Sequence, residues 1–215
     1  MEIWQSLYQR AKKNKNLIIP GLLALLNGYK YKLLFFIKGK NIKIGKAFRV
    51  YGKFYIKGMG KITIGDNCFI ISDLIKPVAF MTSTEVAKIY IGNNVGFNGT
   101  TIQCYKNIVV KDWCNIADAY IVDSQAHHLS ADRRFRDINE LNSLPVIIEE
   151  NVWISTNVVI SYGVKIGKNS VIGALSLVRE SIESNSFYAG IPAKFIKKIP
   201  PPKIKNFNIH NYLNK

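Results

Sequence analysis

The sequence predicts an all-β fold, a parallel β-helix built from six-residue repeats. An aliphatic residue occupies every sixth position without a miss, at Ile148, Ile154, Ile160, Ile166, Ile172 and Val178. This spacing fits neither one helix nor one strand, since their side-chain patterns repeat at about 3.6 and about 2 residues. A longer fixed period is typical of stacked repeats, in which each unit buries its apolar residue against its neighbours.

Two further positions in each repeat support the same fold. Small or β-branched residues follow each aliphatic by four positions, at Val152, Val158, Val164, Ser170 and Ser176. The residue before each of these is Asn151, Asn157, Gly163, Asn169 and then Leu175. Asn and Gly tolerate a left-handed backbone, so these positions predict the corners between flat sides. The alternative is a buried antiparallel sheet with chance spacing.

The repeat continues upstream in four shorter runs. Their hexapeptides begin at Ile44, then at Ile64 and Ile70, then at Ile91 and Phe97, and then at Val110, Ile116 and Val122. The phase slips between runs, so extra residues must leave the helix there. The largest slip separates Val122 from Ile148 and contains the polar segment QAHHLSADRRFRDINELNS. We therefore expect an extruded loop at about 123–146, and loops on a rigid scaffold are common sites of binding and catalysis.

Length and composition indicate one globular repeat domain with short flanks. The chain has 215 residues, of which 48% are hydrophobic and 20% charged. Cys68 and Cys114 occupy the small position of a repeat, and the three cysteines have no metal-binding spacing. An odd, scattered set of small core cysteines favours a reducing, cytoplasmic location.

Positive charge is concentrated in the flanks, which we place at residues 1–40 and 200–215 around a β-helix of 41–199. Residues 1–61 hold 14 Lys or Arg against the single acid Glu2, whereas 62–193 hold 10 basic and 13 acidic residues. No nucleic-acid reading motif accompanies this charge, so nucleic acid is not an expected partner.

The N-terminal flank interleaves lysines with the apolar runs LIIPGLLALLNG and YKYKLLFFIKGK. The first run is shorter than the roughly 20 residues needed to span a bilayer, and it contains Pro20. Two interpretations stay open, and they can coexist. Residues 22–36 form helices that cap the β-helix with their lysines in water, or the flank makes peripheral contact with an anionic membrane at the inner face.

Two segments carry a family resemblance. NVWISTNVVISYGVKIGKNSVIGALSLVRESIESNSFYAGIPAKFIKKI at residues 151–199 and DSQAHHLSADRR from Asp123 resemble the hexapeptide-repeat acyltransferases. The likeness is to the galactoside, maltose, serine and polysaccharide O-acetyltransferases, over roughly residues 60–199. It implies a left-handed, triangular β-helix and a homotrimer with active sites between subunits. It also implies acetyl coenzyme A as acyl donor, bound along the outside of the helix.

The resemblance assigns His127 as the catalytic base. Histidine suits this role because its pKa lies near working pH, so it can take a proton from an attacking hydroxyl and return one to the departing thiolate. His128 is adjacent, where the family usually has proline, and is the alternative base or a substrate contact. Asp123 either orients His127 or stabilises a turn.

The resemblance also implies a set of binding residues. Trp153 would lie beside the thioester, the backbone amide of Thr156 would face its carbonyl, and Asn98 would contact the acceptor. Ala174 and Arg179 would line the pantetheine groove, and Lys194 and Lys197 would meet the nucleotide phosphates. Ser155 and Leu175 stand where the family has glycines. Because their side chains are larger, we expect less room for the donor to come close to the backbone there.

These observations together predict an O-acetyltransferase that acts on a sugar hydroxyl in surface-polysaccharide or lipid-linked glycan synthesis. The alternative is a non-catalytic scaffold or membrane-associated interaction protein with the same fold. A zinc enzyme on this fold would need three converging histidines, and only two lie in the repeat region, so no metal is expected.

Overall fold

The computed structural model describes residues 18–72, 76–125, 127–135 and 142–200. Within these residues one α-helix, α1 (Ile18–Ile37), precedes twenty short strands. Residues 1–17 of the predicted N-terminal flank and residues 201–215 of the predicted C-terminal tail lie outside the described residues.

The strands form three sheets. Sheet A contains β1 (Ile42–Ile44), β4 (Lys61–Ile64), β7 (Lys88–Ile91), β10 (Asn107–Val110), β13 (Val146–Ile148) and β16 (Lys165–Ile166). Sheet B contains β2 (Arg49–Tyr51), β5 (Phe69–Ile71), β8 (Gly96–Asn98), β11 (Asn115–Ala117), β14 (Trp153–Ile154), β17 (Val171–Ile172), β19 (Ser186–Ala189) and β20 (Lys194–Lys198). Sheet C contains β3 (Phe54–Lys57), β6 (Val78–Thr82), β9 (Thr101–Cys104), β12 (Tyr120–Val122), β15 (Val159–Ile160) and β18 (Leu177–Val178).

The order of the sheets makes the fold a three-sided parallel β-helix. The chain visits sheets A, B and C in turn from β1 to β18, and strands in successive coils pair in parallel. The exception is the antiparallel pair β19 and β20, which ends the C-terminal edge of sheet B. An antiparallel return covers the last parallel strand, whose free edge would otherwise invite pairing with another chain.

The six-residue period produces the core. The aliphatic residue at every sixth position from Ile148 to Val178 is buried and belongs to one hydrophobic cluster. At the N-terminal half, the rings of Phe54, Phe80 and Phe97 stack edge to face up the interior, with successive centroids 5.1 Å apart. Alternate residues point outward, so three flat surfaces remain for binding.

The predicted corner residues adopt left-handed backbone conformations. Asn151, Asn157 and Asn169 have φ between 55° and 60°, and Gly163 has φ 74°. Asn151 Nδ2 donates to Asn169 Oδ1 at 3.0 Å, and Asn169 Nδ2 donates to Asn185 Oδ1 at 2.8 Å. The side chains therefore form a ladder along one edge, which links successive coils in addition to the backbone.

All three cysteines are buried and free, as the repeat pattern predicts for Cys68 and Cys114. Burial raises the pKa of each of these two thiols to about 12. They are therefore protonated, unreactive core residues at neutral pH.

The predicted N-terminal helical flank is present as α1, which lies against β2 at the open end of the first coil. Asn27 Nδ2 donates to the carbonyl oxygens of Val50 at 2.9 Å and Gly52 at 3.1 Å. The Phe35 ring packs edge to face on Phe54, the lowest ring of the aromatic stack, with centroids 6.0 Å apart. Within the described residues, no helix is both long enough and apolar enough to cross a bilayer.

Candidate functional site

A polar loop leaves the β-helix after β12, where the phase slip predicted one. Its two ends are paired by an antiparallel bridge between Ser124 and Ser143 and by a hydrogen bond from Gln125 N to Asn142 O at 3.3 Å. Gln125 Nε2 also donates to the Tyr162 hydroxyl at 2.8 Å, on the following coil. The base of the loop is therefore fixed to the scaffold on both sides.

Asp123 is fully buried at this base. Its carboxylate accepts hydrogen bonds from the backbone amides of Tyr105, Lys106 and Asn107, each at 2.7 Å. Burial and the Asp123 carboxylate together raise the pKa of the neighbouring Cys104 thiol. Asp123 thus stabilises the turn of the preceding coil, the structural one of its two predicted roles. Orientation of His127 by Asp123 stays a prediction.

The two candidate bases lie just beyond the anchored end of the loop. The His127 side chain is exposed, and that of His128 is half-buried. A single 3₁₀ turn at Arg133–Phe135 follows them with its side chains exposed. An exposed imidazole on an anchored loop is available to a substrate that approaches from outside the prism.

A second group of residues lies along the edge where sheet B turns into sheet C, hereafter the B–C edge. It contains the predicted Asn98, Thr156 and Ala174, together with Asp118. Asp118 N donates to Asn98 O at 2.5 Å, and the Thr156 hydroxyl donates to Asp118 Oδ2 at 3.3 Å. Asn98 Oδ1 is buried and accepts no hydrogen bond from the described residues. An unsatisfied buried acceptor is costly, which makes this oxygen a candidate contact for a ligand hydroxyl.

Asp118 is a residue that the sequence analysis missed. It is 7% exposed, adopts a left-handed φ of 44°, and forms an ion pair with Lys76. The signal in the sequence is an aspartate at a corner position that asparagine or glycine usually occupies. Its carboxylate joins Lys76 to Thr156, so it sets the charge of the B–C edge.

Two of the predicted donor-binding residues on sheet B, Trp153 and Lys197, share one register row, whereas Lys194 pairs with Ala189. Trp153 pairs with Val171, Val171 with Phe187, and Phe187 with Lys197, so all four side chains lie side by side across β14, β17, β19 and β20. Trp153 is 53% exposed, and both Lys194 and Lys197 are exposed. An aromatic ring and two ammonium groups thus stand at opposite ends of one outer surface.

Leu175 departs from the other corners. It has a left-handed φ of 57° and is 65% exposed next to Ala174, which is also exposed. The exposed leucine side chain therefore lies at the B–C edge, at the position where the resemblance implies glycine. Ser155, the other departure, is half-buried one coil earlier, and its amide donates to Ile172 O at 3.0 Å.

The edge between sheets C and A, hereafter the C–A edge, holds the remaining predicted residues (Asp123, His127, His128 and Arg179). Arg179 is exposed directly after β18. Ser161 follows β15 in the preceding coil, and its backbone amide donates to Val178 O at 3.0 Å. Within one chain, sheet C separates this edge from the B–C edge. A single copy therefore presents the predicted base at one side of sheet C, and presents Thr156 at the other side, next to the outer surface of sheet B that carries Trp153.

No group of three or more His, Cys, Asp or Glu side chains that could hold a metal ion occurs among the described residues. The two carboxylates described at the site have other partners: Asp118 contacts Lys76 and Thr156, and Asp123 accepts from three backbone amides.

Comparisons with known proteins identify relatives of this fold. A family profile described as bacterial transferase hexapeptide (six repeats) matches residues 145–180. The chain is 35% identical over 139 residues to the galactoside O-acetyltransferase of Escherichia coli strain K12, and the match covers 64% of each protein. The matched segment is therefore slightly less than two thirds of that relative's length.

A second relative from the same strain carries the provisional name lipopolysaccharide biosynthesis O-acetyl transferase WbbJ. It is 31% identical over 152 residues, which cover 67% of this chain and 75% of the relative. Among solved structures, galactoside acetyltransferase in complex with coenzyme A superposes with a TM-score of 0.54 at 23% identity, over 94% of this chain and 88% of that one. These similarities confirm the predicted left-handed parallel β-helix.

Proposed function

The chain belongs to the hexapeptide-repeat acetyltransferases, and from this premise we propose that it transfers an acetyl group from acetyl coenzyme A to a hydroxyl of a sugar. The observation that carries the proposal is the anchored loop that presents His127 from the C–A edge. The related Escherichia coli protein is named galactoside O-acetyltransferase, and this name describes the same type of transfer, of an acetyl group to a sugar hydroxyl.

In this proposal His127 acts as general base. Its imidazole takes the proton of the acceptor hydroxyl as the hydroxyl oxygen attacks the acetyl carbonyl carbon. A new C–O ester bond forms, the C–S thioester bond breaks, and the proton passes from His127 to the departing thiolate. The backbone amide of Thr156 would donate to the carbonyl oxygen as negative charge develops on it.

The row from Trp153 to Lys197 is proposed to hold the acyl donor. Support comes from the exposed indole at one end and from two exposed lysines at the other, because ammonium groups suit the phosphates of coenzyme A. Coenzyme A is bound by the related galactoside acetyltransferase structure. Ala174 and Arg179 would contact the pantetheine arm from the two edges.

We place the acceptor at the B–C edge beside Asn98. Its buried Oδ1 has no donor within the described residues, so a sugar hydroxyl would satisfy it. We propose a glycan of surface-polysaccharide or lipid-linked synthesis as this sugar and a cytoplasmic location for the reaction. The free, buried cysteines support a reducing compartment.

A homotrimer would join the two edges into one site. Three prisms that turn sheet C toward a common axis bring the C–A edge of each copy against the B–C edge of the next. The outer surface of sheet C supports this arrangement, because its described strands carry one charged residue, Lys57, among uncharged outward side chains such as Tyr120, Val159 and Leu177. Sheet A instead carries outward lysines.

The test is release of free coenzyme A from acetyl coenzyme A across a panel of bacterial-type glycans with labelled acetyl donor. We expect His127→Ala to lower turnover by about 100-fold or more, because the attacking hydroxyl loses its base. Binding of acetyl coenzyme A should be unchanged in this variant. The matched control, His128→Ala, should retain most of the activity.

Two outcomes would contradict this assignment. Full activity in His127→Ala with loss in His128→Ala would move the base by one residue. Absence of transfer to every glycan, with acetyl coenzyme A still bound, would favour the non-catalytic scaffold.

A further inference from the structure

The side of α1 that faces away from the β-helix is apolar. Nine large hydrophobic side chains are exposed on this helix, with Ile19 at 70% and Phe36 at 82%. We call them the outer face of α1, namely Ile18, Ile19, Leu22, Leu23, Leu26, Tyr29, Leu33, Phe36 and Ile37. Their spacing of three or four residues places them on one side of the helix.

The opposite side of the same helix already has its partner. Ala24, Leu25, Gly28 and Phe35 are buried against the first coil. A helix that is apolar on both sides is typical of an element covered on both sides. Contact with the β-helix therefore accounts for one side of α1 and leaves the outer face unexplained.

The charge around the outer face indicates what covers it. Residues 18–61 contain ten Lys or Arg and no Asp or Glu. Lys32 and Lys40 bind the carbonyl oxygens of Gly45 and Gly58 at 2.8 and 3.0 Å, while Lys30, Lys38 and Lys43 are exposed. An apolar surface surrounded by positive charge complements an anionic bilayer, where hydrophobic insertion and attraction to headgroups act together.

We propose that the outer face of α1 binds an anionic lipid bilayer, so that the β-helix stands on the membrane by its N-terminal end. Insertion of the leucine and phenylalanine side chains into the headgroup boundary would bury the exposed apolar area without a transmembrane span. The described helix fits this mode, since it is not apolar and long enough to cross.

One consequence rests on the proposed acetyl transfer. The His127 loop leaves the fourth coil, three coil spacings of roughly 5 Å above the first coil. The helix adds about 10 Å. The base would therefore act some distance above the headgroups, which favours a glycan of several sugars on its lipid carrier over a single sugar at the surface.

Vesicle flotation of the full-length protein tests the membrane contact. We expect flotation with vesicles of phosphatidylcholine and phosphatidylglycerol, little with phosphatidylcholine alone, and a decrease as salt is raised. Leu26→Glu combined with Leu33→Glu should lower partitioning by on the order of tenfold or more. The control, Val86→Glu with Tyr90→Glu, adds the same charge at exposed positions on another part of the prism and should float like the wild type.

Three outcomes would overturn the proposal. Equal flotation of both double variants would show that the outer face is not the contact. Larger assemblies that dissociate in Leu26→Glu/Leu33→Glu, without wild-type flotation, would assign the face to a second copy. If the protein floated only after removal of residues 1–17, the outer face of α1 would be assigned to contact with that segment of the same chain. Since no acetyl donor or acceptor is present, failure here leaves acetyl transfer untouched.

Discussion

At the scale of single residues, Leu175 combines an unfavourable backbone with an exposed side chain. Its φ of 57° lies in a region that leucine rarely adopts, because Cβ approaches the following carbonyl oxygen. Asn157, at the same edge one coil earlier, has φ 55° and a residue type suited to it. Since the exposed leucine side chain adds little burial to offset this strain, the position costs the fold stability.

We expect Leu175→Asn to raise the free energy of unfolding by about 1 kcal/mol, because asparagine tolerates the left-handed conformation. The reverse change, Asn157→Leu, is the matched control and should lower it by a similar amount. Urea unfolding at one fixed protein concentration measures both. A decrease in Leu175→Asn would mean that the leucine side chain makes a stabilising contact, such as one with a neighbouring copy.

At the scale of elements, the seat of α1 on the first coil depends on one close approach. A Cβ on Gly28 would lie 1.9 Å from the carbonyl oxygen of Phe48, which is impossible without moving the helix. Gly21 lies about two turns earlier on the same side of α1, and its would-be Cβ has only the Tyr51 hydroxyl nearby, at 4.0 Å. Gly28 is therefore required by the close packing of α1 on the first coil, whereas Gly21 has room for a larger side chain.

Gly28→Ala should lower the free energy of unfolding by about 1–3 kcal/mol, because overpacking displaces α1 from β2. Gly21→Ala should instead raise it by up to about 1 kcal/mol through helix propensity. Thermal unfolding followed by circular dichroism distinguishes them. If both variants were equally stable, α1 would not be seated against Phe48.

At the scale of the whole molecule, the proposed site needs two copies, because sheet C separates its halves. Val159 is 38% exposed on the outside of sheet C, directly between Tyr120 and Leu177 in register. Ile147 lies in the same coil on the outside of sheet A, between Val109 and Lys165. Arginine at Val159 adds a charge to the outside of sheet C, and arginine at Ile147 adds the same charge to the outside of sheet A.

Val159→Arg should convert the proposed trimer to monomer and abolish the proposed acetyl transfer, since a buried unpaired charge at an interface is strongly unfavourable. Ile147→Arg should leave both assembly and activity intact. Sedimentation velocity with a parallel assay of coenzyme A release measures the outcome. A trimer that survives Val159→Arg with full activity would contradict the use of sheet C.

The sequence by itself determined the coil, because each repeat specifies its own buried aliphatic and its own corner within six residues. The run from Ile148 to Val178, the corners at Asn151 and Asn157, and the extruded loop all follow from such local patterns. Helical structure over residues 22–36 was likewise predicted from the sequence, but the sequence did not show which side of α1 is covered.

Tertiary structure alone decided how the polar groups are used. Asp123 holds the amides of Tyr105 to Asn107, and Asp118 meets Lys76 and Thr156, across separations of 16 to 42 residues that only the stacking of coils closes. Whether a carboxylate braces a turn or faces a substrate depends on which donors surround it in space. The spacing of residues along the chain specifies the coil because each repeat packs only against its neighbours. The hydrogen-bond and ion-pair partners of Asp118 and Asp123 are far away in the sequence, and only the stacked coils bring them together.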